Sequence, residues 1–120
     1  MFIKNLKDCG EFTSADGATL RELANARTQN FQFTYSLAHA VVKPGAKTKL
    51  HALRTSEVYY VMEGTGKMHI NDEAADVGPG CMVNIPPQAK QCIENTGDSD
   101  LVFLCIVEPA WKAEDEKVLE

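Results

Sequence analysis

Pro44-Gly45-Ala46-Lys47-Thr48-Lys49-Leu50-His51-Ala52-Leu53-Arg54-Thr55-Ser56-Glu57-Val58-Tyr59-Tyr60-Val61-Met62-Glu63-Gly64 is the stretch whose reading decides the fold. Pro44 and Gly45 stop the apolar run before them, because proline removes a ladder donor and glycine accepts a positive φ. Residues 49–62 read as extended chain interrupted around 53–56, and Glu63-Gly64-Thr65-Gly66 closes the run. Side chains two apart on a strand point the same way, so His51 and Leu53 are expected to share one face.

The same texture continues on both sides. Residues 31–42 form one β-branched and aromatic run; 67–70 and 74–77 read as a hairpin across Asn71-Asp72, residues that tolerate the left-handed conformation. Gly78-Pro79-Gly80, Pro86-Pro87 and Asn95-Thr96-Gly97-Asp98 then separate runs at 81–85, 90–94 and 101–107. No helical period competes with this pattern, and many short strands between Gly/Pro turns predict an all-β sandwich or barrel. In residues 1–30 the helix formers Leu20-Arg21-Glu22-Leu23-Ala24 oppose the turn signal Asp16-Gly17, and we read a hairpin with an extended arm. Pro109-Ala110-Trp111 looks like a docked anchor, with Trp111 as a packing residue, ahead of a polar tail or short helix at 112–120.

A length of 120 residues suits one domain, with 44% apolar and 24% charged residues. No apolar run approaches the roughly 18 residues of a membrane span. Charges within Met1-Phe2-Ile3-Lys4-Asn5-Leu6-Lys7-Asp8 interrupt what would be the apolar stretch of a signal peptide, which predicts a cytoplasmic protein. Cys9, Cys81, Cys92 and Cys105 are far apart, as expected of free thiols. The net charge of −5 is uneven: residues 43–67 carry +3 and the remainder −8. Lys49 and Arg54 are therefore candidates for a basic pocket rim that attracts an anionic small molecule, with a solvated loop face as the alternative. An acidic chain without aromatic residues among its basic ones excludes nucleic acid.

Spacing carries the next step. Gly45, five residues, His51, five residues, Glu57, six residues and Gly64 resemble the first motif of the cupins, small double-stranded β-helix (jelly-roll) barrels, with Leu53 in place of a second histidine. Gly80, Pro86, Gln88, Gln91 and Asn95 are similar to the second motif, with Gln88 in place of a glycine and Gln91 in place of a histidine. The resemblance covers residues 31–111. Shorter stretches, among them Ser36-Leu37-Ala38, Ile85-Pro86-Pro87 and Phe103-Leu104-Cys105, resemble single-domain cupins loosely labelled mannose-6-phosphate isomerase-like.

The resemblance implies a single cupin domain over 1–120 with a site around His51, Glu57 and Gln91. In a complete site three imidazoles and a carboxylate hold a metal. Here two of four positions have changed, so His51, Glu57 and Gln91 are the candidate ligands for a weakly held divalent ion (manganese, iron, nickel or zinc), and no metal is the other expectation. His39, by parity with Leu37 and Val41, and Tyr59, by parity with Glu57, are further candidates to face the pocket. His69 is a weaker one. His51 and Glu57 would supply acid and base groups if the chain is catalytic. Three functions remain open: binding of a small polar, anionic or neutral metabolite; a metal-dependent isomerase, lyase or dioxygenase acting on a sugar or organic acid; and a structural barrel. Small cupins commonly form homodimers, for which Phe2, Ile3 and Leu6 are the candidate interface residues.

Overall fold

The computed structural model describes residues 1–120 as strands β1 (Glu11–Thr13), β2 (Thr19–Asn25), β3 (Ser36–Val42), β4 (His51–Leu53), β5 (Ser56–Glu63), β6 (Gly66–Ile70), β7 (Glu73–Val77), β8 (Met82–Ile85), β9 (Gln91–Asn95), β10 (Leu101–Glu108) and β11 (Glu116–Val118), with 3-10 turns at Leu6–Asp8 and Ala113–Asp115. They form two antiparallel sheets, ordered β1-β2-β3-β10-β5-β8 and β11-β4-β9-β6-β7. The architecture is the expected all-β jelly-roll barrel. No helix is long and apolar enough to cross a membrane.

Alternation fixes which side chains fill the space between the sheets. On β5, Glu57, Tyr59 and Val61 are buried while Tyr60 and Met62 are exposed. Their neighbours on β10 place Cys105 opposite Tyr59 and Phe103 opposite Val61. Tyr59 and Phe103 lie with ring centroids 4.5 Å apart. With Val42, Met68, Ile85, Ile93 and Leu101 they make one continuous apolar cluster. All four cysteines are free.

Two segments differ from the sequence reading. The run at 31–42 becomes a strand only at Ser36. Before it, Phe31, Phe33 and Tyr35 stack on one another at 4.5 and 4.2 Å, and Phe2 meets Phe31 edge-on at 5.1 Å. Aromatic stacking replaces the ladder there. Ile3 is largely exposed and Leu6 is half-buried. Residues 112–120, read as a polar tail or short helix, begin with the short 3-10 helix but continue into a strand: β11 pairs with β4, Glu116 opposite Leu53 and Val118 opposite His51. Arg54 Nε donates to Asp115 Oδ1 at 2.8 Å and ties the turn to the barrel, holding the Asp115 carboxyl below its ordinary range. The predicted hairpin around Asp16-Gly17 is present, and Leu20 to Ala24 lie in β2 rather than in a helix.

Two turn positions explain why the motif spacing persists. Gly64 has φ +83°, and a Cβ there would strike the Asp100 carbonyl oxygen and approach Leu101 Cα to 2.9 Å. Gln88 adopts φ +69° although it carries a side chain. Its N–H donates to the Leu53 carbonyl at 2.7 Å, so the left-handed turn survives the loss of glycine. Asn95 is likewise architectural: its Nδ2 donates to the carbonyls of Val42 and Ser99, both at 2.8 Å, while its Oδ1 accepts from the Gly97 N–H at 2.9 Å.

These positions should respond oppositely to substitution. Gly64→Ala combines strain with a backbone clash and should cost on the order of 3 kcal/mol in urea unfolding. Gln88→Gly relieves the left-handed penalty and should leave stability unchanged or raise it by up to about 1 kcal/mol. A destabilised Gln88→Gly protein would show that the Gln88 side chain holds the turn.

Candidate functional site

Small residues open the barrel at one end. Ser36, Ala38 and Ala40 stand on the inward face of β3, and opposite them lies a cavity of about 350 Å³. Interiors otherwise pack at crystal-like density, so a run of small side chains against large ones leaves room for a ligand. Phe12, Leu20, Phe103, Val107 and Trp111 supply apolar wall. The polar groups that reach the cavity are few: His51, Glu57, Tyr59, Asp16, Glu22 and Glu116 are chief among them.

Glu57 ends a buried hydrogen-bond chain. The Tyr59 hydroxyl donates to Gln91 Oε1 at 3.1 Å, and Gln91 Nε2 donates to Glu57 Oε1 at 3.0 Å. Gln91 is fully buried and Glu57 is 6% exposed. Glu57 Oε2 has no protein partner, and its side chain lines the cavity. Burial raises the Glu57 pKa from 4.5 to about 8; the Gln91 amide opposes the rise, and Asp16 and Glu116 add to it. The carboxyl is therefore protonated at neutral pH and can donate to a ligand. Burial, and then the nearby Glu57 carboxylate, push Tyr59 well above the ordinary tyrosine range, so it stays a neutral donor.

His51 sits beside this chain because it pairs directly with Gln91 across β4 and β9. Its Nδ1 is 2.7 Å from the Lys49 carbonyl oxygen, and its Nε2 is 3.3 Å from Asp16 Oδ2. Asp16 comes from the tip of the N-terminal hairpin. Its Oδ1 accepts from the Ser14 hydroxyl and from the Ala18 N–H, the latter at 3.1 Å. The Lys49 N–H donates to the Asp16 carbonyl at 2.7 Å, which brings the hairpin tip to the start of β4. Both ring nitrogens therefore face oxygen, Nδ1 the Lys49 carbonyl and Nε2 the Asp16 carboxyl.

The expected residues separate clearly. His51, Glu57, Tyr59 and Gln91 come together. His39 does not: it lies on the outer face of β3, in a surface groove with Arg21, Lys43 and Asp100, because odd-numbered residues of that strand face away from Ala38 and Ala40. His69 Nε2 stands 4.0 Å from Glu94 Oε1, away from the cavity. The basic rim is not formed. Lys49 is exposed and contributes through its backbone, while the Arg54 side chain turns to Asp115. Sequence reading missed Asp16, Glu22 and Glu116. The Asp16-Gly17 turn was visible, but its return onto His51 depends on a long-range backbone bond.

A metal is poorly matched to these side chains. Gln91 spends its oxygen on Tyr59 and its nitrogen on Glu57, and His51 faces Asp16 and Lys49. No group of three His, Cys, Asp or Glu side chains is arranged to share an ion. Leu53, buried on the His51 side of β4, offers no donor.

Comparison with known proteins gives four findings. Residues 38–107 match a family described as a cupin domain. The uncharacterized protein MJ1618 of Methanocaldococcus jannaschii is 38% identical over 110 residues, 91% of this chain and 87% of that one. An oxalate-binding protein of Thermotoga maritima is 31% identical over 71 residues, covering 58% of this chain and 59% of its own. Among solved structures, oxalate decarboxylase from Bacillus subtilis superposes with a TM-score of 0.80 at 23% identity, over 95% of this chain but only 30% of that enzyme, a likeness of fold.

Glu57 gives the stability a definite pH dependence. With a folded pKa near 8 against an ordinary 4.5, the folded chain binds more protons than the unfolded chain between those values. This contribution is fully present below about pH 4.5 and is lost as pH rises through about 8. The melting temperature should fall across that window. In Glu57→Gln the fall should be much shallower, with a remainder from Glu116, which burial also raises. Parallel wild-type and variant profiles would show that Glu57 is ionised throughout.

Proposed function

The chain belongs to the cupin domain family, and on that premise we propose that it binds a small organic molecule inside the barrel, without a resident metal. One observation carries the reading: a buried carboxyl, protonated at neutral pH, lines a cavity of about 350 Å³ with one oxygen unpartnered. A polar group of the ligand meets Glu57 Oε2 and the His51–Asp16 pair, and its remainder lies against Phe103, Val107 and Trp111. Burial of that apolar part contributes about 25 cal/mol per Å², while each well-made hydrogen bond adds about 1 kcal/mol. Gln91 holds the Glu57 carboxyl in place from behind the cavity wall, and Tyr59 in turn holds Gln91.

A second reading, binding of a dicarboxylate such as oxalate, is favoured by the relative named as an oxalate-binding protein. The lining weighs against it. Glu57 is protonated and Asp16 faces His51, but Glu22 and Glu116 line the cavity without a cationic partner, and no lysine or arginine lines it. A dianion would enter a field of its own sign, and a sugar phosphate would meet the same opposition. Such ligands would need a cation to accompany them.

The test is a thermal-shift and calorimetric titration with short-chain alcohols, amines and carboxylates, followed by oxalate. At least one neutral or cationic compound should stabilise the wild type, and Glu57→Gln or His51→Ala should weaken its binding by about tenfold, the equivalent of one charge-assisted hydrogen bond. Manganese, iron, nickel and zinc salts alone should not shift the melting temperature. A shift by one of these ions that disappears in both variants, or stabilisation by oxalate only in its presence, would replace this reading with a metal-dependent one.

A further inference from the structure

One side of the cavity combines a tryptophan with two carboxylates that have no cationic partner in the protein. The Trp111 Nε1–H donates to Glu116 Oε1 at 3.3 Å. Asn25 Nδ2 donates both to the Trp111 carbonyl at 3.0 Å and to Glu22 Oε2 at 3.1 Å, so β2 and the segment after β10 hold Glu22, Trp111 and Glu116 together. All three line the cavity. Glu22, Glu57 and Glu116 make no ion pair within the chain, although Glu57 is 6% exposed and the other two are half-buried.

Two arginines are committed elsewhere. Arg27 Nη1 reaches the Trp111 carbonyl at 3.4 Å, and Arg54 pairs with Asp115; neither lines the cavity. Carboxylates withdrawn from water without a counter-ion cost free energy that a cationic ligand would recover. An indole lining the same wall adds cation–π attraction, which strengthens as water is excluded. The Glu57 carboxyl, with Oε2 unpartnered and facing the same space, is a donor to a hydroxyl or carbonyl oxygen elsewhere in the guest.

We infer that the cavity selects a small molecule bearing an amine or quaternary ammonium group, which sits beside Trp111 between Glu22 and Glu116, with its apolar body against Phe103 and Val107. The inference rests on the small-molecule reading of this cavity and names the charge of its ligand. Free small amines fit the volume; a long chain does not.

Three probes of one skeleton test it: 3-methylbutylamine, 3-methylbutanol and 3-methylbutanoate, titrated at pH 7 into the full-length protein. The amine should bind about tenfold more tightly than the alcohol, the carboxylate more weakly than either, and only the amine should lose affinity as salt is raised. Glu116→Gln and Glu22→Gln should each bring the amine within about threefold of the alcohol while leaving the alcohol unchanged. Since Glu22 is half-buried in the middle of β2, away from β11, its conservative amide keeps the test usable if Glu116→Gln perturbs β11. Equal binding of amine and alcohol, or tightest binding of the carboxylate, would overturn the charge assignment and leave the small-molecule reading standing. Absence of binding by all three overturns both.

Discussion

A carboxyl group withdrawn from water inside an apolar barrel must either find hydrogen bonds or give up its charge, and Glu57 does both. Gln91 supplies the one protein bond, and a glutamine amide can do so while accepting from Tyr59, because it carries donor and acceptor at once. Tyr59 in turn packs on Phe103, so the polar chain is anchored in the apolar cluster. Leu53 brings no donor to this chain, and Gln91 uses both ends of its amide within it. The side chains of the site therefore satisfy one another and leave a single Glu57 oxygen for a guest.

The second half of the site depends on the backbone of Lys49. Its N–H fixes the tip of the N-terminal hairpin through Asp16, and its carbonyl orients the His51 ring. His51 is therefore held by one strand residue and faced by an acid from a distant turn. Orientation of an imidazole by a backbone carbonyl leaves its other nitrogen with a defined role, here towards Asp16. The positive side chains around this point, Lys49 and Arg54, have no part in the cavity.

Much of the fold was legible because it rests on local signals. Pro44-Gly45, Asn71-Asp72 and Gly78-Pro79-Gly80 mark turns whatever surrounds them, and the alternation of Glu57, Tyr59 and Val61 shows which side of β5 is inward. The site was legible only where the same parity applied. His39 failed because parity groups residues on a strand without saying which face is the core. The small residues Ser36, Ala38 and Ala40 point inward here, and apolar Leu37 and Val41 do not. The strand at Glu116–Val118 failed for another reason: its charged composition reads as solvated, yet pairing with β4 hides one face and brings Glu116 inside. Asp16 and Trp111 carried turn and packing signals that said nothing of a cavity.

The origin of the cavity's charge separates what this barrel shares with its family from what is its own. The family match spans residues 38–107, and of the lining carboxylates only Glu57 lies within it. Asp16 and Glu22 come from the N-terminal hairpin and Glu116 from the C-terminal strand, while Trp111 lies just beyond β10. The shared barrel supplies a rigid, dry frame and a buried carboxyl, and the flanking segments decide which charge that frame accepts. Fold and function separate at this boundary. A barrel with the same β3 to β10 but basic residues at positions 16, 22 and 116 would present the same cavity with the opposite preference, because Coulomb attraction in a low-dielectric site outweighs differences in shape of one or two methylenes.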